Sequence, residues 1–502
     1  MKTRIFASIL FLSICQLAFS QQRIHGVIED RTGAVIQAAQ VSVLNTNVLV
    51  NSDAKGRFEF TQLPASDSTY TILVEKPGFL AQARTISAQS GEEVKILLFA
   101  SMKTLEDVQV NTTRLSDFNT SQILVRRINP LERKNFGQDI PILLEATPSL
   151  VTTSDAGAGV GYTGLRIRGV DATRINVTIN GIPVNDPESH AVYWVNMPDL
   201  ASSIENIQIQ RGVGSSTNGA ASFGASLNIK TQDISEKPFG SIDQSFGSFG
   251  THKTTVKAGT GIINKHFSLE TRMSSIQSIG YLDRASSDLK SYFLSGAYIG
   301  KKSVLKAIVF SGKEITYQAW YGTPESRVKG DTAAMNAYAD RNGLSSEDRQ
   351  NLLNAGRTYN FYTYKNEVDN YQQDNYQIHF THTFNDKLIL NLAGHYTYGR
   401  GYYEQYRKGE NLADYGLNPV VIGLDTVQQT DLIRRLWLDN DFVGAVYGLS
   451  YKPTAHLDFV FGGSANTYFG RHFGELVWAQ YASNSEIYQR YYSNDSRKSE
   501  VS

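Results

Sequence analysis

The feature that most constrains this chain is a pair of alternating segments near its middle. In Asn375-Tyr-Gln-Ile-His-Phe-Thr-His-Thr-Phe384 the odd positions are all polar, and the even ones are Tyr, Ile, Phe, His and Phe. After Asn385-Asp-Lys387 comes Leu388-Ile-Leu-Asn-Leu-Ala-Gly-His-Tyr-Thr-Tyr398, whose even positions are Leu, Leu, Leu, Gly, Tyr and Tyr. Period-two alternation over about ten residues, closed by a short turn, predicts a transmembrane β-hairpin. Even residues are expected to face lipid, and odd ones, His379 and His395 among them, the lumen. His379 and His382 lie three apart, so on a strand they point to opposite faces and cannot share a metal. His382, polar and outward near the turn, reads as interfacial.

The same logic predicts strands starting near residues 239, 252, 266, 289, 303, 371, 388, 432 and 455, about nine in all. Val443 to Tyr451 is apolar at odd positions and turns at Lys452-Pro-Thr454 into Leu457-Asp-Phe-Val-Phe461. Short turns fall near Asn264-Lys265 and Gly300-Lys-Lys302. Long connections are expected at about 314–370 and 399–431, with Tyr396, Tyr398, Tyr402, Tyr403 and Tyr406 crowding the outer rim. Composition agrees with a β-rich membrane wall: 41 Gly, 27 Tyr and 24 Phe, with 19% charged residues, below the usual ~25%. Lys+Arg and Asp+Glu balance at 48 each, which argues against a nucleic-acid partner. Single-chain bacterial barrels have an even strand number, and plugged transporters about 22. Nine strands, with room for one more after about residue 466, imply an incomplete barrel. The polar end Ser493–Ser502 shows no strand signal, and the chain is expected to be a C-terminally truncated sequence.

Residues 1–20 read as a secretory signal: Lys2 and Arg4, an apolar run from Ile5 to Leu12, and Ala18-Phe19-Ser20 as the cleavage site. Cleavage there removes the single cysteine, Cys15. No later apolar run is long enough for a spanning helix, so membrane entry requires a barrel.

Residues 21–100 alternate short β runs with turns at Asp53-Ala-Lys-Gly56 and Pro77-Gly78. They predict a small sandwich with Val27, Val41, Phe58, Phe60 and Ile72 inward. The pieces Gly26-Val27, Asp30, Gly33, Val41, Asp53, Gly56, Phe58-Glu-Phe60, Tyr70 and Gly78-Phe79 resemble the carboxypeptidase regulatory-like domain, which implies a fold and no catalytic residue. His472-Phe-Gly-Glu475 has the spacing of a zinc carboxypeptidase pair, but no histidine follows it to complete a site.

Residues 101–120 form a linker holding Leu105-Glu106-Asp107-Val108-Gln109-Val110, an exposed run able to pair as an added strand. Ordered pieces follow over about 121–235. They are Pro141-Ile-Leu-Leu-Glu-Ala-Thr-Pro148, Gly164-Leu-Arg-Ile-Arg-Gly169, Arg174 through Pro183, Asn185-Asp-Pro187, Ile204 through Gly212, Gly214-Ser-Ser216 and Leu227-Asn-Ile-Lys-Thr231. Val177-Thr-Ile179 entering Asn180-Gly181 is a hairpin signal. The order and spacing of these pieces closely resemble the plug domain of TonB-dependent receptors, and the linker run resembles their TonB box. Ser222-Phe-Gly224-Ala-Ser226 stands where a double glycine often occurs, and only a local packing change is expected there. Tyr364 through Asp374 and Gly399 through Glu404 also resemble barrels of this family.

The resemblance implies a mainly β receptor in the outer membrane of a Gram-negative bacterium. Its parts are the β-sandwich, a mixed α/β plug and a partial antiparallel barrel over 236–502. Its partners would be outer-membrane lipid, a small-molecule ligand such as a ferric chelate, and TonB in the inner-membrane energy-coupling complex. No catalytic residue, cofactor or metal site is implied. Arg168 and Arg211 match plug arginines that face barrel carboxylates, a sensible buried pairing; satisfying plug turns is the other reading of them. The Gly-rich loop Asp155–Tyr162 lacks the Lys-Ser/Thr of a phosphate loop. With Asn185–His190 and Tyr193-Trp194 it supplies the candidate ligand contacts Tyr162, Asn185, Asp186, His190, Tyr193 and Trp194, a purely structural role standing beside that one. The implied function is TonB-dependent import, with an iron–siderophore-type complex favoured because Gly212-Val-Gly-Ser-Ser216 differs from the plug ending of large glycan importers. Cobalamin, other metal chelates and oligosaccharides stay open, as does a surface-binding or adhesion protein without transport.

Overall fold

A computed structural model describes residues 24–98 apart from 31–32, 45, 47, 62, 64–68, 77–78, 80–81 and 88–92. It also describes 123–127, 134–212, and 223–502 apart from 386, 455–456, 483–485 and 487. The signal segment, Leu105–Val110, Pro77-Gly78 and Gly214–Ser216 lie outside the described residues. The chain divides into two compact units.

The first unit holds β1 (Ile24–Asp30), β2 (Gln40–Val43), β3 (Leu49–Asn51), β4 (Arg57–Phe60), β5 (Thr69–Glu75), β6 (Gln82–Ser87) and β7 (Val94–Leu98). They form two sheets, β4-β1-β7 and β3-β2-β5-β6. Val41, Phe58, Phe60 and Ile72 are buried between them. Val27 is not; Ile24 and Ile28 take the inward phase of β1. The reason is Gly26, where a Cβ would stand 2.7 Å from the Phe58 ring and 2.2 Å from the Val94 carbonyl. The bare glycine lets the strand close on the core, and Val27 turns outward with the opposite parity.

The second unit contains the plug and the wall. The plug carries β8 (Ile123–Arg127), β9 (Leu150–Ser154), β10 (Thr163–Ile167), β11 (Ile175–Ile179), β12 (Ile182–Pro183), β13 (Ile204–Arg211) and β14 (Ala225–Thr231). Its main sheet runs β12-β11-β14-β13-β8, with β11 and β14 parallel and β13 antiparallel to β14. Asn180 and Gly181 both have positive φ and close the β11–β12 hairpin, as their residue types predict. Among the described plug residues, helix is limited to Ile140–Leu143 and short 3₁₀ turns.

The wall is one antiparallel sheet of ten strands. It comprises β15 (Pro238–Phe246), β16 (His252–Thr260), β17 (Phe267–Ser278), β18 (Ser287–Ile299), β19 (Ser303–Tyr317), β20 (Val368–Asn385) and β21 (Leu388–Asn411). A small hairpin, β22 (Val420–Ile422) and β23 (Asp425–Val427), intervenes before β24 (Gln429–Thr454), β25 (Leu457–Ala479) and β26 (Gln489–Val501). Its polarity is inverted relative to a soluble sheet. Ile378 is 52% exposed and its neighbour His379 5%; Phe461 is 67% exposed, whereas Lys253, Arg272, Lys306 and Gln377 are buried. Outward apolar and inward polar side chains are what a lipid-facing wall demands. Among the described residues no helix is long and apolar enough to cross a membrane.

Two expectations are corrected here. Ser493–Ser502 is not strandless: β26 pairs with β25 from Leu476↔Gln489 to Ala465↔Val501. Its place comes from that ladder, which polar residues satisfy as well as apolar ones. Residues 399–411 are not loop either, because β21 continues to Asn411 opposite β24. A strand crosses the hydrocarbon in about 9–11 residues, so the 24 residues of β21 and 26 of β24 extend well past it. The connection 318–367 carries three helices, Glu325–Lys329, Thr332–Arg341 and Ser346–Asn354. Ser345 caps the last, accepting from the Asp348 amide at 3.1 Å.

Candidate functional site

The plug seats on the wall through one buried carboxylate. Asp199 sits in the left-handed region, φ 53°, after Pro198, and its side chain is fully buried. Lys253 Nζ of β16 stands 2.9 Å from Oδ1 and Arg272 of β17 3.6 Å from Oδ2. Thr255 donates to Oδ2 at 2.7 Å, and Ser202 and Asn135 to Oδ1 at 2.6 and 2.9 Å. Burial opposes ionisation of Asp199, but Arg272 and Lys253 outweigh it and hold the carboxyl well below the usual carboxylate range. The backbone follows: Arg272 also donates to the Asp199 carbonyl, and Ser291 to that of Pro198 at 2.7 Å. Gly312 of β19 makes room for it, since a Cβ there would lie 2.2 Å from the Asn196 carbonyl oxygen. Phe293, Ile308 and Phe310 of the wall join the plug's own apolar core.

Ion pairs between plug and wall include those of Asp199 with Lys253 and Arg272 and that of Glu188 with His472. Arg168 is exposed and reaches the surroundings of Gly212; its backbone amide donates to Ser149 at 2.8 Å.

A second plug–wall contact is the loop tip at Glu188. Its carboxylate accepts from Tyr468 at 3.0 Å and from Ser496, and pairs with His472 Nε2 at 2.7 Å. Lys498 adds a 2.8 Å bond to the Pro187 carbonyl. Asn185 shapes the loop from within, accepting from the Val177 amide at 2.8 Å and donating to the carbonyls of Ile175 and His190 at 2.9 Å.

Between these contacts lies an open cavity of about 550 Å³, floored by plug loops and walled by β19, β20, β21, β24 and β25. Tyr162, Asn185, Asp186 and Tyr193 line it. His190 is exposed outside the lining, and Trp194 is buried in the plug core. Trp194, in the 3₁₀ turn Trp194–Asn196, packs within the plug's apolar cluster and does not line this cavity.

Residues missed in the sequence complete the cavity. The Tyr162 ring meets Trp320 edge-on at 5.7 Å, and Trp320 meets Tyr403 at 5.5 Å. Tyr162 donates its hydroxyl to Asp369; burial first, then the charges of Glu314 and Asp369, push the phenol well above its ordinary value. Burial pushes the Asp155 carboxyl up to about 6. The signal for Glu314 was available: it keeps the inward parity of Lys306, Ile308 and Phe310, had β19 been extended past residue 314. Among the described residues no cluster of three or more His, Cys, Asp or Glu side chains is placed to hold a metal ion.

Residues 129–226 match the TonB-dependent receptor plug domain, and residues 23–99 the carboxypeptidase regulatory-like domain. No curated protein sequence matches the chain. Among solved structures it is similar to Pseudomonas aeruginosa FpvA bound to heterologous pyoverdines, with TM-score 0.54 and 9% identity over 77% of this chain and 49% of that one. It is also similar to the outer-membrane ferripyoverdine receptor of Pseudomonas aeruginosa bound to ferripyoverdine, with TM-score 0.50 and 11% identity over 80% and 52%. A third likeness is to the copper transporter OprC, with TM-score 0.50 and 11% identity over 71% and 46%. The chain thus spans about half the length of these structures. At such identities the likeness shows the fold: a plug held against a TonB-dependent receptor barrel wall.

Proposed function

We propose that this chain, which carries a TonB-dependent receptor plug behind a carboxypeptidase regulatory-like domain, serves energised import of a small-molecule ligand across the outer membrane of a Gram-negative bacterium. Its plug domain is that of TonB-dependent receptors. The observation that carries the reading is the plug's mode of attachment. It is fastened to an inside-out wall by a compact polar seat at Asp199, and a cavity opens between the two. Phe293, Ile308 and Phe310 of the wall also pack on the plug, and the polar seat is the directional part of this interface, which a pull can shift between two arrangements.

Ligand occupies the cavity in this scheme, and TonB then engages Leu105–Val110 as an added strand. Pulling on the linker strains the Asp199 seat and opens a path along the wall. Arg168 and Arg211 are assigned to ordering the plug around Gly212 during that movement. A metal chelate, of the iron–siderophore type in the first instance, is favoured as cargo; the similar structures include a ferripyoverdine receptor and a copper transporter. The test is uptake of radiolabelled ferric chelates by cells expressing the full-length protein, with and without TonB and the proton gradient. Gradient-dependent accumulation is expected. Surface binding that ignores both TonB and the gradient would overturn import in favour of adhesion.

A further inference from the structure

The ionisable side chains lining the cavity are mostly acids. Asp155, Asp186, Glu188, Glu314 and Asp369 line it, and none of the described lining residues is Lys or Arg. The one lining histidine, His472, is tied to Glu188. Cations on the nearby wall are engaged elsewhere: Arg434 with Gln405 and Tyr415, and Arg435 with Glu404.

Most of these carboxylates have local donors. Asp186 accepts from the amides of Glu188 and Ser189 and from the Ser189 hydroxyl. Glu188 has three side-chain donors. Glu314 differs. It is 1% exposed; its Oε2 takes a 3.1 Å bond from Thr316, and its Oε1 is buried with no partner. The Tyr162 hydroxyl donates to Asp369 and also lies within reach of Glu314, so the two carboxyls share a single donor. A buried carboxylate oxygen without a donor is costly, and here the open side is the cavity. Two carboxylates fall short of a metal cage, which needs six or more oxygens for calcium. They suit a group that brings several N–H donors and positive charge. The Trp320 and Tyr403 rings beside them favour the same charge through their faces.

We infer that the cavity takes its ligand by a protonated amine or guanidinium seated at Glu314 and Asp369, and that it disfavours ligands with an anionic outer surface. This deepens the import reading and rests on it.

The experiment is equilibrium binding to the detergent-solubilised full-length protein with three probes: a ferric trihydroxamate bearing a free primary amine, the same chelate with that amine acetylated, and a ferric tris-catecholate. The amine chelate is expected to bind at least about tenfold more tightly than its acetylated twin, and the anionic tris-catecholate most weakly. Glu314→Gln should lower the amine chelate to the acetylated level and leave the acetylated form unchanged. Equal binding of the two hydroxamates by the unaltered protein, a preference for the catecholate, or no binding of the amine probe overturns the inference, and none of these needs a variant to fold. Energised uptake of the bound probe separates the two claims. Amine-selective binding without gradient-dependent uptake supports the charge inference and defeats import; uptake without amine preference does the reverse.

Discussion

Asp199 shows how much one side chain can carry. It joins two buried cations from adjacent wall strands to a turn of the plug. Neutralising one member of a buried ion cluster leaves the others without a counter-ion, a loss of about 3–5 kcal/mol. Asp199→Asn is therefore expected to lower the urea midpoint for plug unfolding, followed by tryptophan fluorescence; an unchanged midpoint would remove Asp199 from the seat. The pH dependence has opposite signs at two plug carboxyls. Asp199 lies below the ordinary range, so its contribution is complete above about pH 4 and is lost only as pH falls further. Asp139 is raised to about 7 by burial, against a 2.9 Å bond from Thr163. Its folded pKa exceeds the unfolded value, so stability present below about pH 4 is lost as pH rises through 7. Asp139→Asn should flatten that decline, gaining a few kcal/mol at pH 8 relative to pH 4. A decline that persists in the variant assigns it to another group. Sequence alone identified the Asn180-Gly181 turn, because positive φ selects residue types. It could not identify Asp199, since a lone aspartate carries no mark of the cations that tertiary packing brings to it.

At the scale of elements, alternation was legible wherever lipid faces one side of a strand, since each residue's face then selects its polarity. That is why Asn375–Phe384 and Leu388–Tyr398 read correctly, with Tyr376, Ile378, Leu392 and Tyr396 outward. Past the hydrocarbon both faces tolerate polar residues. The signal fades there while the ladder continues, so the outer part of β21 and Ser493–Val501 of β26 carry no strand signal in the sequence. The helix Ser346–Asn354, capped by Ser345, lies inside what the sequence suggested was a long connection, because its residues carry little amphipathic pattern. Glycines in the wall divide by what they face. Gly312 presses on Pro198, whose Cδ would lie 2.5 Å from an added Cβ; at Gly296 the nearest atom is a Leu269 methyl at 3.8 Å. Gly312→Ala should therefore lower the plug-unfolding midpoint by about 1–3 kcal/mol, and Gly296→Ala by much less. Equal effects would show that the wall strand, rather than the plug contact, sets the cost.

For the whole molecule, the import proposal requires a route from a pull on Leu105–Val110 to the cavity. Leu105–Val110 precedes β8, the edge strand of the plug's main sheet. Force on that segment enters β8 and passes to β13 through their antiparallel register. β13 begins at Ile204, five residues after Asp199, so the first wall contact on this route is the ionic seat. The Glu188 tip lies at the far side of the plug, gripped by β25 and β26, and bears load later. This order separates binding from transport. In the proposed scheme, deleting Leu105–Val110 should leave ligand affinity at the cavity unchanged, because plug loops and wall strands supply its described lining, while gradient-dependent uptake falls to the level of cells lacking TonB. Asp199→Asn in the undeleted protein should act oppositely, loosening the seat and admitting ligand with less dependence on the gradient. Binding lost together with uptake after the deletion would mean that the linker shapes the cavity itself, and the route from β8 through β13 to Asp199 would fail.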